Sequence, residues 1–296
     1  MSNQEPPSLW DRACVYVQVK LLRWAIWFGN LGKPTTPAPF PPSRQAFIRS
    51  SDGKRRIKLL FFDPPNSNPG PKPVYINFHG SGFIQPSLGI DGRMLTYIAR
   101  EVGCIVIDGD YRKAPEHPFP AAYDDAYRMV SWMLENADRL FDVDRVAVGG
   151  VSAGGSLALA VTANMPPNTI KGVSVIGRTR PIGPHPSRHW EMMRSAYLGK
   201  YMNTKDARLS PKFGDITRFP GGQTVFIASA EYDYLDAEAQ EFRDLLVKSG
   251  KEPLYMHVEG MGHGYVMTDK SDTAAAKKRD ETFAMAAEAL KRAFGL

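Results

Sequence analysis

Apolar residues gather in short runs at 46–49, 57–62, 74–78, 104–108, 146–149, 172–176, 224–229 and 254–258. Runs of this length, rich in Val, Ile and Phe and flanked by charged residues, glycine or proline, are the pattern of buried strands. Longer segments with helical spacing occupy 94–101, 121–136, 156–164, 236–248 and 274–294. The early strands lie close together, whereas the later ones alternate with helices. That order predicts an α/β fold in which an antiparallel start feeds a parallel sheet with helices on both faces.

Two stretches stand outside the alternation. Residues 10–28 are helical in propensity, with Asp11, Arg12, Gln18, Lys20 and Arg23 set among apolar residues that include Trp24, Trp27 and Phe28. The segment is too charged and too short for a comfortable membrane span. It suits a helix packed over a site, an interfacial helix on a membrane surface or an ordinary core helix. The proline-dense residues 33–42 read as a linker, so 1–45 form an N-terminal unit ahead of a domain at 46–296. The second stretch, 177–220, holds Arg178, Arg180, His185, Arg188, His189, Trp190 and Tyr197, with one clear helical part near 190–202. It is long for a loop between two strands and reads as an inserted cap.

Composition narrows the class. The 296 residues are 43% hydrophobic, enough for one large globular domain. The net charge is +6, yet lysine and arginine are dispersed, which points to a solvated basic surface and away from nucleic acid. Cys14 and Cys104 provide no disulfide framework, and the first residues lack a signal-peptide pattern. An intracellular, cytoplasmic protein is expected.

The chemistry centres on Gly150-Val151-Ser152-Ala153-Gly154-Gly155. The stretch follows a predicted strand and precedes a predicted helix, the setting of a nucleophile elbow. Gly150 and Gly154 let strand and helix approach on either side of Ser152, and the Ala153 amide opens the helix where an oxyanion would form. A serine hydroxyl needs a base, and His263 lies in a glycine-rich loop between the last strand and the last helix. His117, His185, His189 and His257 have no comparable place. An acid is expected after the seventh strand, where Asp233 and Asp236 compete. Asp236 also suits a helix N-cap, so Asp233 is the better partner, giving the order Ser152, Asp233, His263. After the third strand comes His79-Gly80-Ser81-Gly82-Phe83, whose small residues let backbone amides approach a substrate oxygen.

These motifs resemble the hormone-sensitive-lipase-like branch of the α/β-hydrolases, the type IV esterases and their fungal and plant carboxylesterase relatives. Besides the segments above, the resemblance is carried by Asp110-Tyr111-Arg112-Lys113-Ala114-Pro115-Glu116-His117-Pro118-Phe119-Pro120-Ala121-Ala122-Tyr123-Asp124-Asp125 and by Arg208-Leu209-Ser210-Pro211. It extends from about residue 46 to the C-terminus and implies an eight-stranded α/β-hydrolase sheet with a helical cap. It further implies a small-molecule ester substrate with short or medium acyl chains, no metal or cofactor, and oxyanion donors at the amides of Gly80, Ser81 and Ala153. The cap would be built from the N-terminal helix and the 177–220 insertion. A homodimer, or contact with a membrane surface through that helix, would be further associations. Relatives also include dehydratases and cyclases, which often lack the nucleophile, and hormone-receptor-like proteins, which usually lack the histidine; Ser152 and His263 favour hydrolysis. Three positions depart from the family pattern: Val151 where aspartate is usual, Ser81 in place of a middle glycine near the substrate, and Asp236 where arginine is usual.

Overall fold

The computed structural model describes residues 6–30, 40–65, 70–136, 141–177 and 187–296. Eight strands form one sheet: β1 (Arg44–Arg49), β2 (Arg56–Phe62), β3 (Lys72–Phe78), β4 (Ile105–Gly109), β5 (Phe141–Val151), β6 (Gly172–Ile176), β7 (Val225–Ala230) and β8 (Leu254–Val258). Their spatial order is β1-β2-β4-β3-β5-β6-β7-β8. β1 pairs antiparallel with β2, and β2 with β4; every later pairing is parallel. The helices among the described residues are α1 (Leu9–Asn30), α2 (Gly92–Val102), α3 (Ala121–Glu135), α4 (Ala153–Asn164), α5 (Arg188–Leu198), α6 (Asp236–Lys248) and α7 (Ala274–Phe294).

Strand alternation divides the core into two layers. Val74, Ile76 and Phe78 of β3, with Val146 and Val148 of β5, face α3, α4 and α6. Tyr75 of β3 and Ala147 of β5 face the other way, toward α2 and α7. β5 is longer than the expected 146–149. Phe141 pairs with Lys72 of β3, and a register irregularity between Lys72 and Val74 absorbs the charged 142–145 segment.

The elbow depends on close backbone approach. A Cβ on Gly154 would overlap the Phe78 carbonyl, and one on Gly150 would meet both that carbonyl and Gly154. Gly154→Ala is therefore expected to cost about 3 kcal/mol, measured as a fall in the denaturation midpoint.

α1 and α5 lie beside the loops that follow β3 and β4. α1 packs against α5 and buries Val19. Arg23 ties α1 to the loop after β3 and to the 110–121 stretch: its Nε donates to the Ile84 carbonyl at 2.8 Å and Nη2 to the Ala114 carbonyl at 2.6 Å. Its Nη1 meets both Glu116 oxygens at 2.7 and 2.9 Å, and Lys20 adds a second cation. Partial burial opposes ionisation of Glu116, but the bonds from Lys20 and Arg23 prevail and hold its pKa at about 2. Arg23→Ala is expected to cost about 1–2 kcal/mol and to loosen α1. Because the folded Glu116 pKa is depressed, the difference from the parent should be present above about pH 4.5 and fade as pH falls toward 2.

The outer face of α1 leaves Trp10, Leu21, Trp24, Trp27 and Phe28 exposed. Among the described residues no helix is long and apolar enough to cross a membrane. The inserted segment contributes α5, which starts at Arg188 and stops at Leu198, short of the expected 202. Gly199, at φ +59°, turns the chain out of the helix. Arg178, Arg180, His185 and most of the expected linker lie outside the described residues.

Candidate active site

The turn from β5 into α4 holds Ser152 at φ +55° and ψ −118°, a conformation rarely tolerated by a residue with a side chain. Its amide donates to the Ile176 carbonyl at 2.9 Å, pinning the turn to β6. His263 arrives from the loop after β8, with Nε2 2.9 Å from Ser152 Oγ. Its Nδ1 lies 2.7 Å from Asp233 Oδ2. Asp233 is buried at the end of β7, and its other oxygen accepts the Leu235 amide at 3.1 Å. With Nδ1–H donating to the carboxylate, Nε2 is left to accept from the serine hydroxyl.

Asp236 takes no part in that chain of contacts, and it is not the helix cap the sequence suggests. Leu235 occupies the cap position and makes no side-chain cap bond. Asp236 is the first residue of α6, and its carboxylate reaches across to the sheet, where Ser229 Oγ donates to it at 2.5 Å, while Gln240 Nε2 of the same helix donates at 2.7 Å. His257 Nδ1 lies 3.2 Å away. Ser229 and His257 lie on β7 and β8.

The loop after β3 lies beside the serine. His79 is fully buried under it, stacked on the Tyr111 ring at 4.6 Å between centroids. Ser81 borders the pocket, and its hydroxyl is held within the loop. A relay runs from the Phe83 amide to Ser81 Oγ at 2.9 Å, then to the Tyr111 hydroxyl at 2.6 Å, then to the His79 carbonyl at 2.6 Å. The Gly80 amide, expected among the oxyanion donors, faces the buried Asp91 carboxyl and donates to it. The amides of Ser81 and Gly82 have no protein acceptor among the described residues, and Ala153, at the first position of α4, has none within its helix. Gly82 sits against the cap: a Cβ there would strike the Met193 sulfur of α5.

A pocket of about 530 Å³ opens above these groups. Ser152, His263, Ser81 and Gly82 form its floor, while Ile90, Trp190, Met193, Leu235 and Met267 supply apolar walls. Val151 is buried in the apolar layer behind the elbow, so the hydrophobic side chain at this position is satisfied by packing. No cluster of three or more His, Cys, Asp or Glu able to hold a metal occurs among the described residues.

The Tyr111–Asp125 motif does structural work. Buried Asp125 receives the Arg112 amide at 2.9 Å and Nε at 3.0 Å, which folds the stretch back on itself. The Tyr197 carbonyl accepts the Phe119 amide at 2.7 Å, and the Tyr197 ring stacks on Phe83. The motif thus connects the cap to the loop after β3.

Residues 75–267 match the family model described as alpha/beta hydrolase fold. This chain belongs to the α/β-hydrolases. The match falls in their hormone-sensitive-lipase-like, type IV esterase branch. Carboxylesterase NlhH of Mycobacterium tuberculosis is 31% identical to the α/β-hydrolase chain over 82% of its length and 80% of the relative's. An AB hydrolase superfamily protein of Schizosaccharomyces pombe is 30% identical over 72% of the chain and 69% of its own length. Among solved structures, an ester-hydrolase from the metagenome of Lake Arreo, in complex with a bipyridine phosphonate derivative, superposes with a TM-score of 0.77 at 26% identity. The superposition covers 94% of this chain and 91% of the other.

The residues the sequence did not single out are Asn77, Asp91 and Asp108. They lie on β3, before α2 and on β4, and only the folded sheet brings them together. Tyr111 was visible as part of the family motif, but its contact with the Ser81 hydroxyl was not.

Proposed function

We propose that this esterase-like α/β-hydrolase is a serine carboxylesterase acting on a small to medium, apolar ester through Ser152, His263 and Asp233. The observation that carries this reading is the continuous chain of contacts from Ser152 Oγ through His263 to Asp233, at 2.9 and 2.7 Å, on the floor of an apolar pocket. The named esterases among its relatives support the same reaction class.

In this mechanism Ser152 Oγ attacks the ester carbonyl carbon while its proton passes to His263 Nε2. The carbonyl oxygen becomes an oxyanion held by the amides of Ser81, Gly82 and Ala153, which are fixed before the reaction begins. Asp233 stabilises the imidazolium and keeps its ring oriented. Collapse of the tetrahedral intermediate breaks the carbon–oxygen bond, and the departing alkoxide takes the proton from Nε2. Water then repeats the sequence on the acyl-enzyme, releasing the acid and restoring Ser152. The apolar walls at Ile90, Trp190, Met193 and Met267 favour uncharged acyl and alcohol groups.

Turnover of a series of p-nitrophenyl esters tests the reading. Release of p-nitrophenol with acyl-chain dependence supports it. Absence of turnover across acetate, butyrate, octanoate and benzoate esters would remove it.

A further inference from the structure

Beneath the loop that carries Ser81 and Gly82 lies a buried polar cluster outside the Ser152–His263–Asp233 chain. Asp91 stands at the N-cap position of α2, where a carboxylate ordinarily accepts amides of the first turn. It makes no such bond. Its side chain turns into the core, where Asn77 Nδ2 lies 3.2 Å from Asp91 Oδ2 and 3.1 Å from Asp108 Oδ1. One buried amide group thus spans two buried carboxyls.

The two carboxyls are not equivalent. Asp108 also accepts the Gly89 amide at 2.9 Å and lies 3.4 Å from His79 Nδ1. Asp91 has Asn77 and the facing Gly80 amide. Among the described residues no cation meets it: Arg93 turns outward to Asp269 and the Phe40 ring. The other titratable groups around the cluster are Tyr75 and Tyr111, whose hydroxyls burial keeps protonated, and His79, which burial keeps neutral. Farther out, on the Asp108 side, lie Asp110 and Lys113, whose ammonium burial pushes down to about 8 against the pull of Asp110 and Asp108. Two adjacent buried anions with so few donors would repel strongly.

We infer that Asp91 and Asp108 share one proton across Asn77, held on Asp91, and that this clasp positions the Gly80–Gly82 loop for oxyanion binding. The loop is held from three sides. Ser87 Oγ donates to the Gly80 carbonyl at 2.6 Å, Tyr111 holds the His79 carbonyl, and the protonated pair supports Asn77 and the Gly80 amide from below. Asp91 is a positioning residue and does not touch substrate. Burial first, then the Asp108 charge, push its carboxyl up to about 7 against the smaller pull of Asn77 and the Gly80 amide. Since the folded pKa is raised, the stabilisation from this proton is complete below about pH 3.8 and is lost as pH rises through about 7. Loss of the proton sets the buried anions against each other and loosens the loop, so kcat should fall over the same range while KM changes little.

The inference rests on the ester-hydrolase reading, which labelling of Ser152 tests separately. Infrared spectra of the native chain report on the proton without reference to activity. At about pH 6, where solvated carboxylates are ionised, a carboxylic-acid carbonyl band is expected, and it should vanish as pH rises through about 7. Asp91→Asn should abolish the band and remove the alkaline decline of kcat, because its amide cannot ionise while its oxygen still accepts from Asn77 Nδ2 or the Gly80 amide. Asp108→Asn, the second variant, removes the neighbouring charge and should move the transition to lower pH. A spectrum with no acid band at that pH, or a band that survives Asp91→Asn, would overturn the assignment. So would an alkaline decline unchanged in both variants.

Discussion

Ser152→Ala is expected to lower kcat on p-nitrophenyl butyrate by about 10⁶-fold, with a circular dichroism spectrum and denaturation midpoint close to those of the parent. The size follows from the role proposed for the hydroxyl. Without Oγ there is no acyl-enzyme, so His263 has no proton to take and Asp233 no imidazolium to stabilise. The three residues therefore fail together, and combining Ser152→Ala with His263→Ala should lose little more than either change alone. Stability should be spared, because alanine keeps the Cβ of the turn and its amide bond to the Ile176 carbonyl. Residual activity within tenfold of the parent would remove Ser152 from the chemistry.

Asp233→Asn is expected to lower kcat by about 10⁴-fold, while Asp236→Ala should cost about 1–2 kcal/mol of stability and little catalysis. Asparagine fits where the carboxylate sat, but its amide nitrogen can turn toward Nδ1, which reverses the hydrogen bond. The neutral imidazole then carries its proton on Nε2, which cannot accept from Ser152 Oγ 2.9 Å away. Asp236 binds Ser229, Gln240 and His257 instead. Its loss unpins the start of α6 from the sheet without reaching the imidazole. Kinetics and urea denaturation on both variants separate the two roles. An inactive Asp236→Ala variant beside a nearly normal Asp233→Asn variant would reverse the assignment.

The parts of the site legible in the sequence are those written locally. Ser152 was recognisable because glycines, a β-branched strand and a helix-forming run lie within a few residues of it. Asp233 and His263 followed from their places just after strands, where a parallel sheet carries its loops to one edge. The sheet itself was readable because each buried strand is a short apolar run. What was not legible depends on where side chains point. Asp236 satisfies the residue preference of an N-cap, yet the folded chain turns it toward Ser229 and His257. Ser81 was placed near the substrate and lines the pocket, but the bonds that hold its hydroxyl, to Tyr111 and the Phe83 amide, were not readable. Asn77, Asp91 and Asp108 occupy a strand, a helix start and another strand. No periodicity joins them, and Asp91 would pass for an ordinary helix cap.

The measurement closest to the central claim is the covalent capture of Ser152. A fluorophosphonate incubated with the native protein should add one adduct per chain, mapped by peptide mass spectrometry to the segment containing Ser152. The adduct should be absent from Ser152→Ala and form far more slowly in His263→Ala, where the base is missing. An unlabelled native protein, or an adduct mapped to another residue and kept in Ser152→Ala, would contradict the account.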